Sequence, residues 1–250
     1  KTVKQWHEGD TNYGLCLRAD DEDAWALAAF IASENTKYSD KKPSLVVTYR
    51  NNKGLEGYWT THEQNLGESG VGYVNDYTGN LVYIAPILST TGNKMPVSLS
   101  LVYNGYQHGN SIDRPDTVGK GWRLNIQEKL TPITKSDELS TKLYNAGYRY
   151  IYSDADGTDH YFYYDDKKDK IFDEDGLGLT LTVNSTVSDM EKYVITADAG
   201  GKMSFTSSGR LRKVYDDNGN YYKVLFNDNG SISGVVDGAG RKISFTHDSS

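Results

Sequence analysis

Cysteine is almost absent from this sequence: Cys16 is the only one in 250 residues. A single thiol excludes a disulfide within the chain and a cysteine cluster for zinc, and its place between Leu15 and Leu17 is typical of a small, half-buried apolar residue. Five histidines follow neither of the usual zinc spacings, so we expect them at surface or cross-strand positions and not in a metal site or a histidine-based relay. These are His7, His62, His108, His160 and His247.

Long apolar runs and positive charge are also scarce. No segment approaches the ~20 consecutive apolar residues that span a membrane, and no charged-then-apolar signal peptide starts at Lys1. The formal net charge of -7 repels phosphate backbones, and no basic stripe offsets it, so nucleic acid is not an expected partner. Because the sequence starts abruptly at Lys1, we expect a segment of a longer protein, in which a missing targeting signal says little about location.

Tyrosine and glycine are abundant, with 20 and 25 residues respectively. Mean hydropathy is low at -0.65, yet this composition argues against disorder, because tyrosine packs well on a pleated surface while its hydroxyl stays wet. The sequence therefore predicts a folded, strand-rich protein with much of its surface facing solvent.

The end of the sequence repeats itself at a spacing of 21 residues, as a copied strand-turn-strand unit does. The repeat matches glycine with glycine, aspartate with aspartate and aliphatic with aliphatic residues. The matched pairs are Gly209 and Gly230, Leu211 and Ile232, Asp216 and Asp237, and Gly219 and Gly240.

Each repeat contains a turn of the form Asp-x-x-Gly or Asn-x-x-Gly. The Asp or Asn side chain can accept hydrogen bonds from its own turn, and the glycine tolerates positive φ. Between such turns, side-chain character alternates with a period of two from about Gly147 onward, which predicts an all-β fold of consecutive antiparallel hairpins. The expected turn glycines are Gly157, Gly176, Gly201, Gly219, Gly230 and Gly240.

The acidic turns raise the alternative of calcium binding, since hard cations take clustered carboxylates. An EF-type loop needs an aspartate five positions before its glycine, but those positions hold Tyr152, Ile171, Val214 and Leu225. Turn chemistry is the favoured interpretation, and no cofactor is expected. A surface calcium site remains a separate hypothesis for two pairs of residues, Asp154 with Asp156 and Asp173 with Asp175.

Residues 1–50 differ from the rest of the sequence in composition and local pattern. Helix propensity is high around the alanine-rich run that ends at Phe30. Three segments, 12–15, 30–35 and 42–49, nevertheless resemble the C-terminal part of the DNRLRE domain, a β-sandwich related to carbohydrate-binding modules in bacterial surface proteins. The resemblance implies strand over 27–33 and a partial β-sandwich over residues 1–50, followed by a connector over 51–72.

Three further segments, in order, carry a second resemblance. They are Thr78-Gly-Asn-Leu81, Leu99-Ser-Leu-Val-Tyr-Asn104 and Gly119-Lys-Gly-Trp-Arg-Leu-Asn125. With the later hairpin repeats they resemble the start of the shell in Rhs and YD-repeat proteins, over residues 73–250. The repeats depart from the family in that one copy alone keeps the Tyr-Asp pair, Tyr215-Asp216, while the next has Val236-Asp237.

This resemblance implies a non-catalytic structural segment of a secreted or cell-wall-associated bacterial protein. The segment would form the entry of a β-cage. Together with the remaining repeats, this cage would enclose a C-terminal toxin or cargo domain. The alternative is a cell-wall or carbohydrate-binding module; an all-β glycan-processing enzyme is supported least. Among the tryptophans, Trp6 and Trp25 are the better candidates for sugar contact, although packing is favoured even there, whereas Trp122 is expected to pack on its strand.

Overall fold

The computed structural model describes residues 36–37, 54–109, 118–185 and 189–246. The chain divides into two units, residues 1–51 and 52–250, and the account below concerns the second. Apart from residues 36–37, the DNRLRE-like segment lies outside the described residues, and with it lie Cys16 and the candidate sugar contacts Trp6 and Trp25.

Strands dominate the described residues. They are β1 (Thr61–Asn65), β2 (Val71–Asn75), β3 (Leu81–Ser89), β4 (Ser98–Asn104), β5 (Trp122–Leu124), β6 (Lys129–Pro132), β7 (Tyr148–Ser153), β8 (Asp159–Asp165), β9 (Lys170–Asp173), β10 (Leu179–Val183), β11 (Tyr193–Ala197), β12 (Lys202–Phe205), β13 (Leu211–Tyr215), β14 (Tyr221–Phe226), β15 (Ile232–Val236) and β16 (Lys242–Ser244). Two short helices, α1 (Gly105–Gly109) and α2 (Glu138–Asn145), and the 3-10 turns Gly67–Ser69 and Asp189–Glu191 complete the set.

The strands form two sheets in which neighbours in sequence are neighbours in space. The first has the order β1-β2-β3-β4-β5, and the second runs without a crossover from β6 to β16. Every strand pair in these two sheets is antiparallel, from β1 with β2 to β15 with β16. The prediction of an all-β fold with consecutive antiparallel hairpins is therefore confirmed. Residues 51–72, expected as a connector, contain β1 and the start of β2, because β1 pairs along its whole length with β2.

The repeated turns follow from their side chains. Asp216 Oδ1 accepts the amides of Asn218 and Asn220 at 2.9 and 2.8 Å, and Asp237 Oδ1 accepts those of Ala239 and Arg241 at 3.0 and 2.9 Å. These bonds satisfy turn amides that no strand can reach. The turn glycines all have positive φ, namely Gly157 (90°), Gly176 (81°), Gly201 (79°), Gly219 (79°), Gly230 (84°) and Gly240 (86°).

Irregularities of strand pairing also recur at the 21-residue spacing. The register of β12 with β13 shifts between Ser204 and Phe205, and that of β14 with β15 shifts between Leu225 and Phe226, 21 positions later. A β-bulge increases local twist and bends its strand. The repeat therefore carries a bend as well as a turn.

The second sheet curls until its first strand meets a distant hairpin. The Leu130 amide donates to the Gly209 carbonyl at 2.7 Å, and the Leu211 amide donates to the Glu128 carbonyl at 3.2 Å. Lys129 and Arg210 form an isolated antiparallel bridge at the same place. This seam, which we call the β6–β13 closure, covers the edge that β6 would otherwise expose.

One hydrophobic core lies inside the curl and takes residues from both sheets. Its fully enclosed side chains include Leu130, Phe162, Ile195 and Phe205 from the second sheet, and Leu99 on β4 contributes from the first. This part of the molecule is thus filled by side chains. Trp122 packs on Tyr103 and Tyr83, with ring centroids at 5.3 and 6.2 Å, while Leu124 enters the core.

Candidate functional site

The hairpin between β7 and β8 gathers most of the acidic candidates. Its turn is held by Asp154, whose Oδ1 accepts the amides of Asp156, Gly157 and Thr158 at 3.1, 3.0 and 2.9 Å. The strands then pair so that His160 stands opposite Tyr152. Because the turn occupies Oδ1, the other oxygen of Asp154 remains to face the imidazole.

His160 is buried among carboxylates, with 3% of its surface exposed. Its Nδ1 lies 2.9 Å from Asp175 Oδ2, and its Nε2 lies 3.4 Å from Asp154 Oδ2. Glu56 approaches Nδ1 at 3.7 Å through Oε1, a buried atom without a hydrogen-bond partner. Both ring nitrogens meet acceptors, which favours the doubly protonated imidazolium.

Asp156 connects this hairpin to a segment about a hundred residues earlier. Its Oδ2 accepts the Leu55 amide at 2.8 Å, across 101 positions of sequence, while its Oδ1 accepts the Thr158 hydroxyl at 2.6 Å. Gly54 lies so close to Thr158 and Asp156 that a Cβ at position 54 would collide with both. We call Glu56, Asp154, Asp156, His160 and Asp175 the His160 cluster.

The electrostatics of the cluster follow from burial and from its excess of acids. Burial raises the pKa of Glu56 to about 7, and burial together with the charge of Asp154 raises the pKa of Asp156 to about 6. Burial would lower the pKa of His160, but hydrogen bonds to Asp154 and Asp175 raise it to about 10. The pKa of Asp154 is lowered because bonds and charge from His160 outweigh its burial.

A second, half-buried acid, Glu128, adjoins the cluster. Tyr152 Oη donates to Glu128 Oε2 at 2.5 Å, and the Tyr152 ring stacks on His160 with centroids 5.7 Å apart. Burial raises the pKa of Glu128 to about 7 and that of Tyr152 well above its ordinary value. Because the Glu128 carbonyl belongs to the β6–β13 closure, this pair joins the cluster to the core.

The four aspartates expected from sequence have different surroundings. Asp154, Asp156 and Asp175 belong to the cluster, whereas Asp173 accepts the amides of Leu177 and Leu179 at 2.7 and 2.6 Å. In the described ranges, no three or more His, Cys, Asp or Glu side chains are grouped to hold a metal ion. The oxygens proposed for calcium instead accept protein hydrogen bonds.

Four residues of this site were not predicted as site residues from the sequence: Glu56, Glu128, Tyr152 and His160. His160 occupies one of the cross-strand positions expected for the histidines, opposite Tyr152, but it is buried. The available signal was local and partial, since Asp154 and His160 flank a tight turn and so must come close across the hairpin. Glu56 and Glu128 carried no such signal. They reach the site only through the fold.

Comparison with known proteins adds no identity. No protein-family model matches the chain, and no curated protein matches its sequence. Within the part of the chain that the structure describes, no helix has the length and apolar character needed to cross a membrane. The arguments for function therefore come from the fold and from the sequence.

From the pKa values of the His160 cluster and of the adjoining Glu128, we expect the stability of the fold to fall as pH rises. Glu56, Glu128 and Asp156 have raised pKa values of about 7, 7 and 6, so ionising them above about pH 4 favours unfolding. The raised pKa of His160 acts in the same direction, because its stabilisation is complete below about pH 6.5 and is lost towards pH 10. We expect urea midpoints to be highest near pH 5 and to decline by pH 9, a loss on the order of a few kcal/mol. Midpoints that rise over this interval would contradict the assignment.

Proposed function

We propose that this chain is a non-catalytic wall segment of a bacterial cell-surface protein of the Rhs/YD-repeat kind. In this proposal it forms the opening of a β-cage that encloses a C-terminal toxin or cargo domain. The observation that carries the proposal is the second sheet, in which β6 to β16 pair in strict sequence order. That order lets a wall grow by one hairpin after another along a continuous hydrogen-bonded ladder.

The two edges of this sheet differ, and the difference supports extension of the wall from one edge only. The β6 edge is covered at the β6–β13 closure, by the bond from Leu130 to Gly209 and the bridge from Lys129 to Arg210. At the other edge, β16 pairs with β15, and no other strand in the described ranges pairs with it. An uncovered edge is a template for a further strand. Additional hairpins would therefore extend the wall from β16.

The buried groups support a structural role over a catalytic one. His160, the strongest candidate for acid-base chemistry, faces carboxylates through both ring nitrogens and is almost completely enclosed. A general base must reach the proton that it removes from a substrate. Here the imidazole instead pairs with Asp154 and Asp175, while Asp156 holds the Leu55 amide to the same hairpin. The partners in this proposal are the remaining repeats and the enclosed domain, and the location is extracellular.

The test is limited proteolysis of the complete gene product with a Gly234→Val variant. A Cβ at Gly234 would collide with the Ile243 carbonyl, so the valine should separate β16 from β15 and open the wall. The matched control is Ser244→Val, which places the same side chain on the exposed partner residue across the pair. We expect the C-terminal domain to resist protease in the wild type and the control and to be cleaved in Gly234→Val. Equal cleavage in all three proteins would contradict containment.

A further inference from the structure

Three aromatic rings lie together beside the first sheet: Tyr58, Trp59 and Tyr77. The centroid of Trp59 is 5.6 Å from that of Tyr58 and 6.2 Å from that of Tyr77. Trp59 and Tyr77 are nearly parallel, with 20° between their planes. We call these three residues the aromatic platform.

The platform shows its apolar surface to solvent. Tyr77 is 84% exposed and Tyr58 is 60% exposed, so most of the surface of both residues faces solvent. Trp59 is half-buried, and its Nε1 is enclosed, which leaves ring carbon as the part that faces outward. Exposed aromatic carbon in one contiguous group is unfavourable in water and commonly marks a binding surface.

Two turns hold the platform in place before any ligand arrives. Tyr77 lies in a turn whose amides at Tyr77 and Thr78 donate to Asn75 Oδ1 at 3.0 and 2.8 Å. The Asp76 amide of the same turn donates to the Thr60 carbonyl at 3.0 Å, which fixes this turn to the segment that carries Trp59. A surface that is ordered in advance loses less entropy when it binds.

The His160 cluster supports the second turn. The Trp59 amide donates to the Glu56 carbonyl at 2.9 Å, and the buried Glu56 carboxyl lies 3.7 Å from His160. The Leu55 amide is held by Asp156. The buried acids thus fix the segment that presents Tyr58 and Trp59.

A polar pair belongs to the turn that carries Tyr77. His62 Nδ1 lies 3.2 Å from Asp76 Oδ1, and their side chains are 89% and 43% exposed. Asp76 directly precedes Tyr77, the most exposed residue of the platform. An imidazole and a carboxylate supply the donor and acceptor positions that hydroxyl groups need.

We propose that the aromatic platform binds a neutral polysaccharide of β-linked hexopyranose units. The axial C–H faces of such sugars are flat and apolar and match exposed aromatic rings, while the equatorial hydroxyls at the ring edge suit His62 and Asp76. The chain's net charge of -7 disfavours acidic polymers. The platform lies at turns of the first sheet and not on the second sheet, which carries the proposed wall.

The test is binding of the full chain to insoluble cellulose and chitin and to soluble β-glucan, measured by depletion and by affinity electrophoresis. Tyr77→Ala should weaken binding at least about fivefold, because it removes the most exposed stacking surface. Tyr77→Phe keeps the ring and should retain binding. Tyr164→Ala is the matched control, since Tyr164 is a tyrosine 37% exposed on β8, and it should bind as the wild type does.

Two results would overturn the proposal. One is a wild-type chain that binds none of the three polymers, and the other is a Tyr77→Ala variant that binds as well as the wild type. The second result would place any sugar site elsewhere in the chain. Because Tyr77 lies in an exposed turn, unchanged thermal unfolding of Tyr77→Ala would show that the loss of binding is local. Neither outcome alters the proteolysis result that tests the wall.

Discussion

His160→Ala should lower the free energy of unfolding by about 3–5 kcal/mol at neutral pH. The substitution leaves Asp154 and Asp175, whose side chains are half-buried, without the cation that both of them face. Removing one partner of a buried ionic group is costly because the remaining charge keeps its desolvation penalty. The measurement is urea denaturation of the variant and the wild type in the same buffer.

The matched control for this prediction is His62→Ala. His62 is also paired with an aspartate, but its side chain is 89% exposed, so its loss should change stability by less than about 0.5 kcal/mol. The deficit of His160→Ala should shrink near pH 5, where the abandoned carboxylates can take up protons. Equal losses of unfolding free energy for the two histidine variants would show that the His160 ion pairs do not stabilise the fold.

The hairpins could be predicted from the sequence because their causes are local. An Asp or Asn three positions before a glycine that adopts positive φ marks a turn, and Asp216 with Gly219 does so clearly. At Asp198 the turn lies one residue earlier, where the Gly200 amide donates to the Ala197 carbonyl. The turn from Thr206 to Gly209 was missed because threonine replaces aspartate. Thr206 nevertheless accepts the Arg210 amide at 3.1 Å through Oγ1, as the aspartates do in the other turns.

The His160 cluster could not be predicted because its causes are not local. Asp156 meets Leu55 across 101 positions, and that contact exists only after the sheets pack over a common core. The calcium hypothesis was likewise drawn from local sequence, which does not show the hydrogen-bond partners of a carboxylate. The sequence shows where carboxylates are frequent, whereas the structure shows that Asp154, Asp156 and Asp173 already accept hydrogen bonds from the protein.

The β6–β13 closure depends on the absence of a side chain at Gly209, and this makes Gly209→Ala the second large effect. A Cβ at this position would collide with the Leu130 carbonyl, a backbone atom of β6 that cannot move without breaking the closure. The residue also has φ of 76°, where a side chain is strained. We expect a loss of about 3 kcal/mol or more, from strain, collision and the weakened bond between Leu130 and Gly209.

Gly219→Ala separates these contributions. Gly219 has φ of 79° at the same position of an equivalent turn, but a Cβ there would meet no atom within 4 Å. It should therefore lose only the conformational term, about 1–2 kcal/mol. The difference between the two variants, measured by urea denaturation, reports the closure alone. Amide exchange should accelerate at Leu130 and Leu211 in Gly209→Ala and stay slow there in Gly219→Ala, because only the first variant separates β6 from the β12–β13 hairpin. Equal losses and equal exchange in both variants would mean that β6 is held by the core and not by this seam.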